Sequence, residues 1–223
     1  MIPVKKQPAP GHFVIKVEKP GKKFLAQNPD PKAKDWKNHN YWREIEKDLY
    51  QAYSGICTYS CLWIPHVTGG KTVEHFKPKS KYPHEAYNWE NYRLVCLLLN
   101  GRKSDFEDVL DPFTLQEGWF VIDFSSLMIF PGDHLSTEEA EKVTKTVERL
   151  KLNKDEDCIK EREKWLRDYV TEGISFPHLE KHAPFIAIEL KRQGYVERTY
   201  SIWAEYNKMM VFSNPSLLEG DTL

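Results

Sequence analysis

Long apolar runs are missing from this chain. Nothing in its 223 residues approaches the roughly 18 consecutive apolar residues needed to span a bilayer, and no charged-then-apolar leader opens it. Only four cysteines are present, at 57, 61, 96 and 158, too few for a disulfide framework in a chain of this length. There is no glycine-rich phosphate loop, no internal repeat and no low-complexity tract, so the chain carries no nucleotide-hydrolysing motor of its own. These absences lead to the expectation of a cytoplasmic globular protein. With 40% hydrophobic residues, the chain can bury one substantial core.

The net charge of −1 hides an asymmetry. Residues 1–43 hold ten Lys or Arg against three acids, a local charge of +7, which leaves −8 for the remainder. Prolines at 3, 8, 10, 20 and 31 punctuate the basic stretch. Residues 1–39 therefore read as an extended basic arm that lies along a phosphate backbone or wraps a protein partner. Within it, His12 to Val17 alternates as a strand would. From Asn40 the pattern turns helical, with Trp42, Ile45, Leu49 and Tyr53 on one face and Gly55 as the stop.

Chemistry-bearing residues concentrate between Cys57 and Asp105. Lys71-Thr-Val-Glu-His75 has the β-branched character of a short strand that ends on a histidine. Phe76-Lys-Pro-Lys-Ser80 follows, then Trp89-Glu-Asn91, and then the apolar run Tyr92 to Leu98 as a better buried second strand. Asn100 stands where that strand gives way to a helix, with Arg102, Lys103 and Asp105 just beyond. Cleaving a phosphodiester needs a base for water and a cation to neutralise growing charge, and a histidine beside hard oxygen ligands supplies both.

This order of residues resembles the HNH endonuclease family. The resemblance implies an α+β fold in which a ββα-metal core and a small β-hairpin are embedded in a mainly helical chain. It makes His75 the general base and Asn91 the residue whose side chain or carbonyl holds its imidazole. Glu74 and Asn100 become ligands of Mg²⁺ or Mn²⁺, since both offer oxygen. Lys79, Arg102 and Lys103 become contacts to the substrate phosphate; an exposed, solvated Lys103 is the alternative.

The cysteines depart from that family. Many members carry two Cys-x-x-Cys pairs that hold a structural zinc. Here Cys57 and Cys96 keep the first positions, but Ser60 and Leu99 occupy the second. Structural zinc is therefore not expected, and Cys57, Cys61 and Cys96 read as small buried hydrophobes. A Cys₃His set that includes His66 is the remaining alternative.

Beyond the core, Gly118 to Phe124 and Leu127 to Phe130, split by Ser125-Ser126, read as a β-hairpin with its aromatics in the core or on a nucleic-acid surface. Ser136-Thr-Glu-Glu139 is a capping box for a helix carrying Val143, Val147 and Leu150. Asn153 with Glu156 reads as the start of another, and Phe185–Leu190 and Ile202–Met209 look helical. The domain reading is residues 1–39 arm, 40–110 nuclease core with its preceding helix, 111–135 hairpin and 136–223 helical region.

The layout from residue 40 to 170 more narrowly resembles the HNH subunit (PtuB) of Septu-type anti-phage defence, including those encoded beside bacterial retrons. That resemblance implies nucleic acid as substrate and a PtuA-like ABC-type ATPase as partner. It also implies a retron reverse transcriptase with its DNA, and a second copy of the chain, as further partners. Two other readings stay open: a catalytically silent nucleic-acid-binding module, and a free-standing nuclease of restriction or homing type. DNA and RNA, tRNA included, present the same phosphodiester.

Overall fold

The computed structural model describes residues 1–154, 156–171 and 173–196. Ile202–Met209 lies outside them. Among the described residues the architecture is α+β, with seven α-helices and two small antiparallel hairpins. No described helix is long and apolar enough to cross a membrane.

The basic N-terminal stretch is not extended throughout. A π-helical turn, Val14–Glu18, runs straight into α1 (Lys19–Gln27). Pro20 falls at the junction of the π-helical turn with α1. Phe13, Val17, Gly21 and Phe24 recur at helical spacing and are buried, whereas Val14 and Ile15 are exposed, so burial period decides against a strand. Phe13 packs edge-on to Trp89 and Tyr92, and Phe24 stacks on His39. Gly21 is required here: a β-carbon would sit 2.1 Å from the Tyr87 ring.

A 3₁₀ turn, Tyr41–Ile45, leads into α2 (Glu46–Ala52). Ile45 and Leu49 are fully buried, as the stripe predicts, and Gly55 ends the segment at φ 70°. The next hairpin pairs β1 (Lys71–His75) with β2 (Tyr92–Cys96), His75 opposite Tyr92 and Glu74 opposite Arg93. Helix α3 (Leu97–Lys103) begins at once, so Leu97 and Leu98 belong to it and not to the strand. Arg93 anchors the hairpin through a bidentate pair with Asp111, at 2.8 and 2.7 Å, and lies 3.5 Å from the Phe113 ring centroid.

The second hairpin is β3 (Phe120–Asp123) with β4 (Met128–Pro131), Asp123 opposite Met128. Asp123 closes the turn by accepting from the backbone and hydroxyl of Ser126 and the backbone of Ser125. Phe120, Ile122 and Ile129 are buried, so these apolar residues serve the core; Phe130 is exposed. Helix α4 (Thr137–Arg149) carries the full capping box of Ser136 and Glu139. Asn153 does not begin the next helix, α5 (Glu156–Val170). Its amide instead accepts from Ile129 N and donates to Ile129 O, both at 2.8 Å, imitating a strand beside β4. Helices α6 (Phe176–His182) and α7 (Pro184–Arg192) complete the described chain, with Phe185, Ile186 and Leu190 buried.

Candidate active site

A cleft of 660 Å³ opens over β1 and the start of the following loop. Glu74, His75, Lys79 and Asn100 line it, and the facing wall is built by the 30–46 region, Trp36 and Trp42 among it. The chain thus brings four of the seven sequence-predicted residues to one surface.

His75 ends β1 and is 7% exposed. Its ring is gripped edge-on by Trp42 at 4.7 Å and Tyr92 at 5.2 Å between centroids. Nε2 lies 3.0 Å from the carbonyl oxygen of Ala86. A carbonyl can only accept, so Nε2 carries the proton and Nδ1 keeps its lone pair. Burial, with Lys79 and Lys103 adding to it, holds the imidazole down to about 3 against the opposing Ala86 bond, so His75 is neutral at neutral pH and its Nδ1 lone pair is free of a proton.

Asn91 does not hold the imidazole, as the sequence led us to expect. Its Oδ1 accepts from Lys77 N at 2.7 Å, and Nδ2 donates to Lys77 O and Glu85 O at 3.0 and 3.1 Å. Asn91 thereby staples both ends of the 77–85 loop, and the residue after Glu85 is Ala86, whose carbonyl does hold the ring. The Asn91 carbonyl accepts from Phe76 N at 2.9 Å, so side chain and carbonyl are both engaged with backbone and not with His75. Tyr92 Oη also donates to Ala86 O, at 2.7 Å, fixing that carbonyl.

Glu74 is 3% exposed, and burial raises its carboxyl to about 7 despite the opposing charge of Lys103. Lys103 Nζ lies 2.7 Å from Glu74 Oε1. Lys103 thus already supplies Oε1 with a cation, although the contact is not an aligned hydrogen bond. The carboxylate lines the cleft and offers hard oxygen to a further cation. Asn100 donates from Nδ2 to Thr72 Oγ1 at 2.8 Å, and Thr72 in turn donates to Val95 O, so the amide is set with Oδ1 as its acceptor. Glu74 and Asn100 thus supply two oxygen donors that fit Mg²⁺ or Mn²⁺. Among the described residues no three or more His, Cys, Asp or Glu are grouped to hold an ion, so further ligands there would be water or substrate.

The three expected phosphate contacts part company. Lys79 lies in the cleft with its ammonium 5.4 Å above the Trp42 ring, and burial lowers its pKa. Lys103 is neither exposed nor solvated: it has no accessible surface and points beneath the cleft. Arg102 is on another side of α3, donating to Leu150 O at 3.0 Å and Cys158 Sγ at 3.4 Å, and so ties α3 to the helices that follow β4. Neither residue is placed to meet a phosphate in the cleft.

Trp42, Thr72 and the Ala86 carbonyl were not foreseen as parts of the site. Trp42 read as a core residue of an amphipathic stripe; backbone carbonyls and a lone threonine leave no sequence signal.

The four half-knuckle positions do converge. Cys57, Ser60, Cys96 and Leu99 line a separate 300 Å³ cavity together with Cys158. Cys57 is buried and accepts from Cys96 N at 3.5 Å; burial pushes its thiol up, but hydrogen bonds from Cys96 and Ser60 outweigh that and hold it low. The Cys96 thiol, as the donor, is correspondingly raised. Cys96 is half-buried, so it is less hidden than the sequence suggested. Cys61 and His66 do not join them: Cys61 lies 3.9 Å from Thr58 O, and His66 packs on Tyr50 at 4.6 Å.

No family model matches this chain, and no curated protein matches it.

Proposed function

We propose that the chain is a metal-dependent endonuclease of HNH type, with β1, β2 and α3 as its ββα core. The observation that carries this reading is a single cleft holding a neutral, tautomer-fixed His75 beside Glu74, Asn100 and Lys79. His75 Nδ1 takes the proton from the attacking water, and the Ala86 carbonyl stabilises the imidazolium through Nε2–H. Trp42 and Tyr92 keep the ring from rotating. Lys79 meets a non-bridging phosphate oxygen. Glu74 and Asn100 would hold Mg²⁺ or Mn²⁺, which when bound would supply positive charge to the phosphate and the leaving oxygen. Asn91 fixes the loop that presents the Ala86 carbonyl.

In the cell the chain acts as the toxic effector of an anti-phage complex, held in check by an ABC-type ATPase. The test is cleavage of supercoiled plasmid, single-stranded DNA and tRNA by the purified chain, alone and with the co-encoded ATPase, under Mg²⁺, Mn²⁺ or EDTA. Metal-dependent cutting of one of them is expected. Binding without cutting under every condition would instead establish a silent nucleic-acid-binding module. Cutting by a chain that does not co-purify with an ATPase would establish a free-standing nuclease.

A further inference from the structure

Lys103 is a lysine with no accessible surface, and its ammonium touches two consecutive residues of the candidate site. It lies 2.7 Å from Glu74 Oε1 and donates to the backbone carbonyl of His75 at 3.3 Å. It is also 5.8 Å from the Phe76 ring centroid. Burying an ammonium and a carboxylate together gives little net stability, because desolvation cancels much of their attraction; an apolar pair of similar size holds a core at least as well. The pair therefore calls for a role other than stability.

Charge supplies one. Glu74 carries the formal negative charge of the proposed ligand pair, and Asn100 is neutral. Lys103 cancels that charge from beneath, while Lys79 adds another cation to the same cleft. Of the three other carboxylates lining the cleft, Asp30 pairs with Lys32 and Glu46 lies 3.7 Å from Lys71, while Asp105 is exposed to solvent. Hard divalent cations are held according to the number and net charge of their oxygen ligands. An uncharged ligand pair holds such an ion weakly until a further anion arrives.

We infer that Lys103 is a positioning residue that orients the Glu74–His75 step and sets the site's charge so that a divalent cation is retained together with a substrate phosphate and not in advance of it. The inference rests on reading Glu74 and Asn100 as metal ligands. Its consequence is regulatory: without nucleic acid in the cleft, the site is short of the cation it needs.

The experiment measures Mn²⁺ binding by calorimetry on the full chain carrying His75→Gln, which prevents turnover. Mn²⁺ is titrated alone and with a thymidine dinucleotide, with Lys103 present and as Lys103→Met. With Lys103 present, the dinucleotide should tighten Mn²⁺ at least about tenfold. In Lys103→Met, Mn²⁺ alone should bind at least about tenfold tighter, and the dinucleotide should add little. Weaker or unchanged Mn²⁺ binding in Lys103→Met overturns the inference. Should that variant fail to melt cooperatively, the Lys103-bearing protein decides: Mn²⁺ affinity indifferent to the dinucleotide overturns it. No saturable Mn²⁺ binding in any arm would remove the metal-ligand reading as well, whereas Mn²⁺ binding insensitive to both changes removes this inference alone.

Discussion

Two parts of the molecule bury polar groups, and they treat them differently. Around β3, β4, α5 and α7 the buried charges among the described residues, Arg162 and Glu189, each have several hydrogen-bond partners. Arg162 donates to Leu127 O and Leu152 O at 2.7 and 2.8 Å. Glu189, 1% exposed, accepts from Ile122 N, Gln193 and Arg192. Around β1, β2 and α3 the pattern is mixed: Arg93 and Asn91 are fully engaged, whereas Thr58 Oγ1 and Tyr59 Oη are buried without a hydrogen-bond partner in the protein and Glu74 Oε1 has the Lys103 ammonium beside it. Satisfied buried groups specify a packing, and unsatisfied ones mark where something else belongs. The unsatisfied groups lie in the half of the molecule that carries the cleft.

If the contrast is real, disabling one region should damage activity and disabling the other should damage folding. The largest effect falls on His75→Gln, which should lower cleavage by about 10²–10⁴-fold, the usual worth of a general base, while the melting transition survives. Equal rates for the two proteins would remove His75 as the base. The same variant reports on pH. A histidine held near 3 in the folded chain, against its ordinary 6.5, stays neutral there while the unfolded chain takes up a proton. Its contribution is therefore complete above about pH 6.5 and lost progressively as pH falls toward 3. Glu74, raised to about 7, slopes the other way, so the informative quantity is the difference in denaturation free energy between wild type and His75→Gln at each pH. Wild type should lose ground relative to the variant as pH falls.

Arg162→Met makes the converse cut. It leaves two buried carbonyls unpaired, so a loss of about 2–4 kcal/mol by urea denaturation is expected, with cleavage per folded molecule unchanged. A large fall in cleavage at full folding would couple the two regions and blur the contrast. The smallest effect is expected from Asn153→Ala, where two hydrogen bonds to Ile129 go but the edge of β4 is near solvent: about 1–2 kcal/mol in the same measurement and no change in cutting. A loss at the scale of Arg162→Met would mean that the Asn153 contact organises the hairpin and does not merely finish it.

Where the chain speaks through local rules, its sequence alone determined the structure. The strand Lys71–His75, the helix after β2, the hairpin closed at Ser125-Ser126 and the capping box at Ser136 each follow from alternation, turn chemistry or capping within a few residues. The proximity of Glu74 and His75 is equally local, being adjacency at the end of one strand. Tertiary structure decided the rest. Proline spacing suggested an extended arm, but Phe13, Val17 and Phe24 found Trp89, Tyr92 and Trp36 to pack on, and burial of that face made the segment helical. Lys103 looked like a surface lysine because nothing in its neighbours along the chain says that α3 lays it against the underside of Glu74. The Ala86 carbonyl and not Asn91 meets the imidazole, because which group reaches it depends on the path of the loop between two strands. Local patterns are set by bonds along the chain, whereas a buried partner is set by which distant segment the core brings across from it.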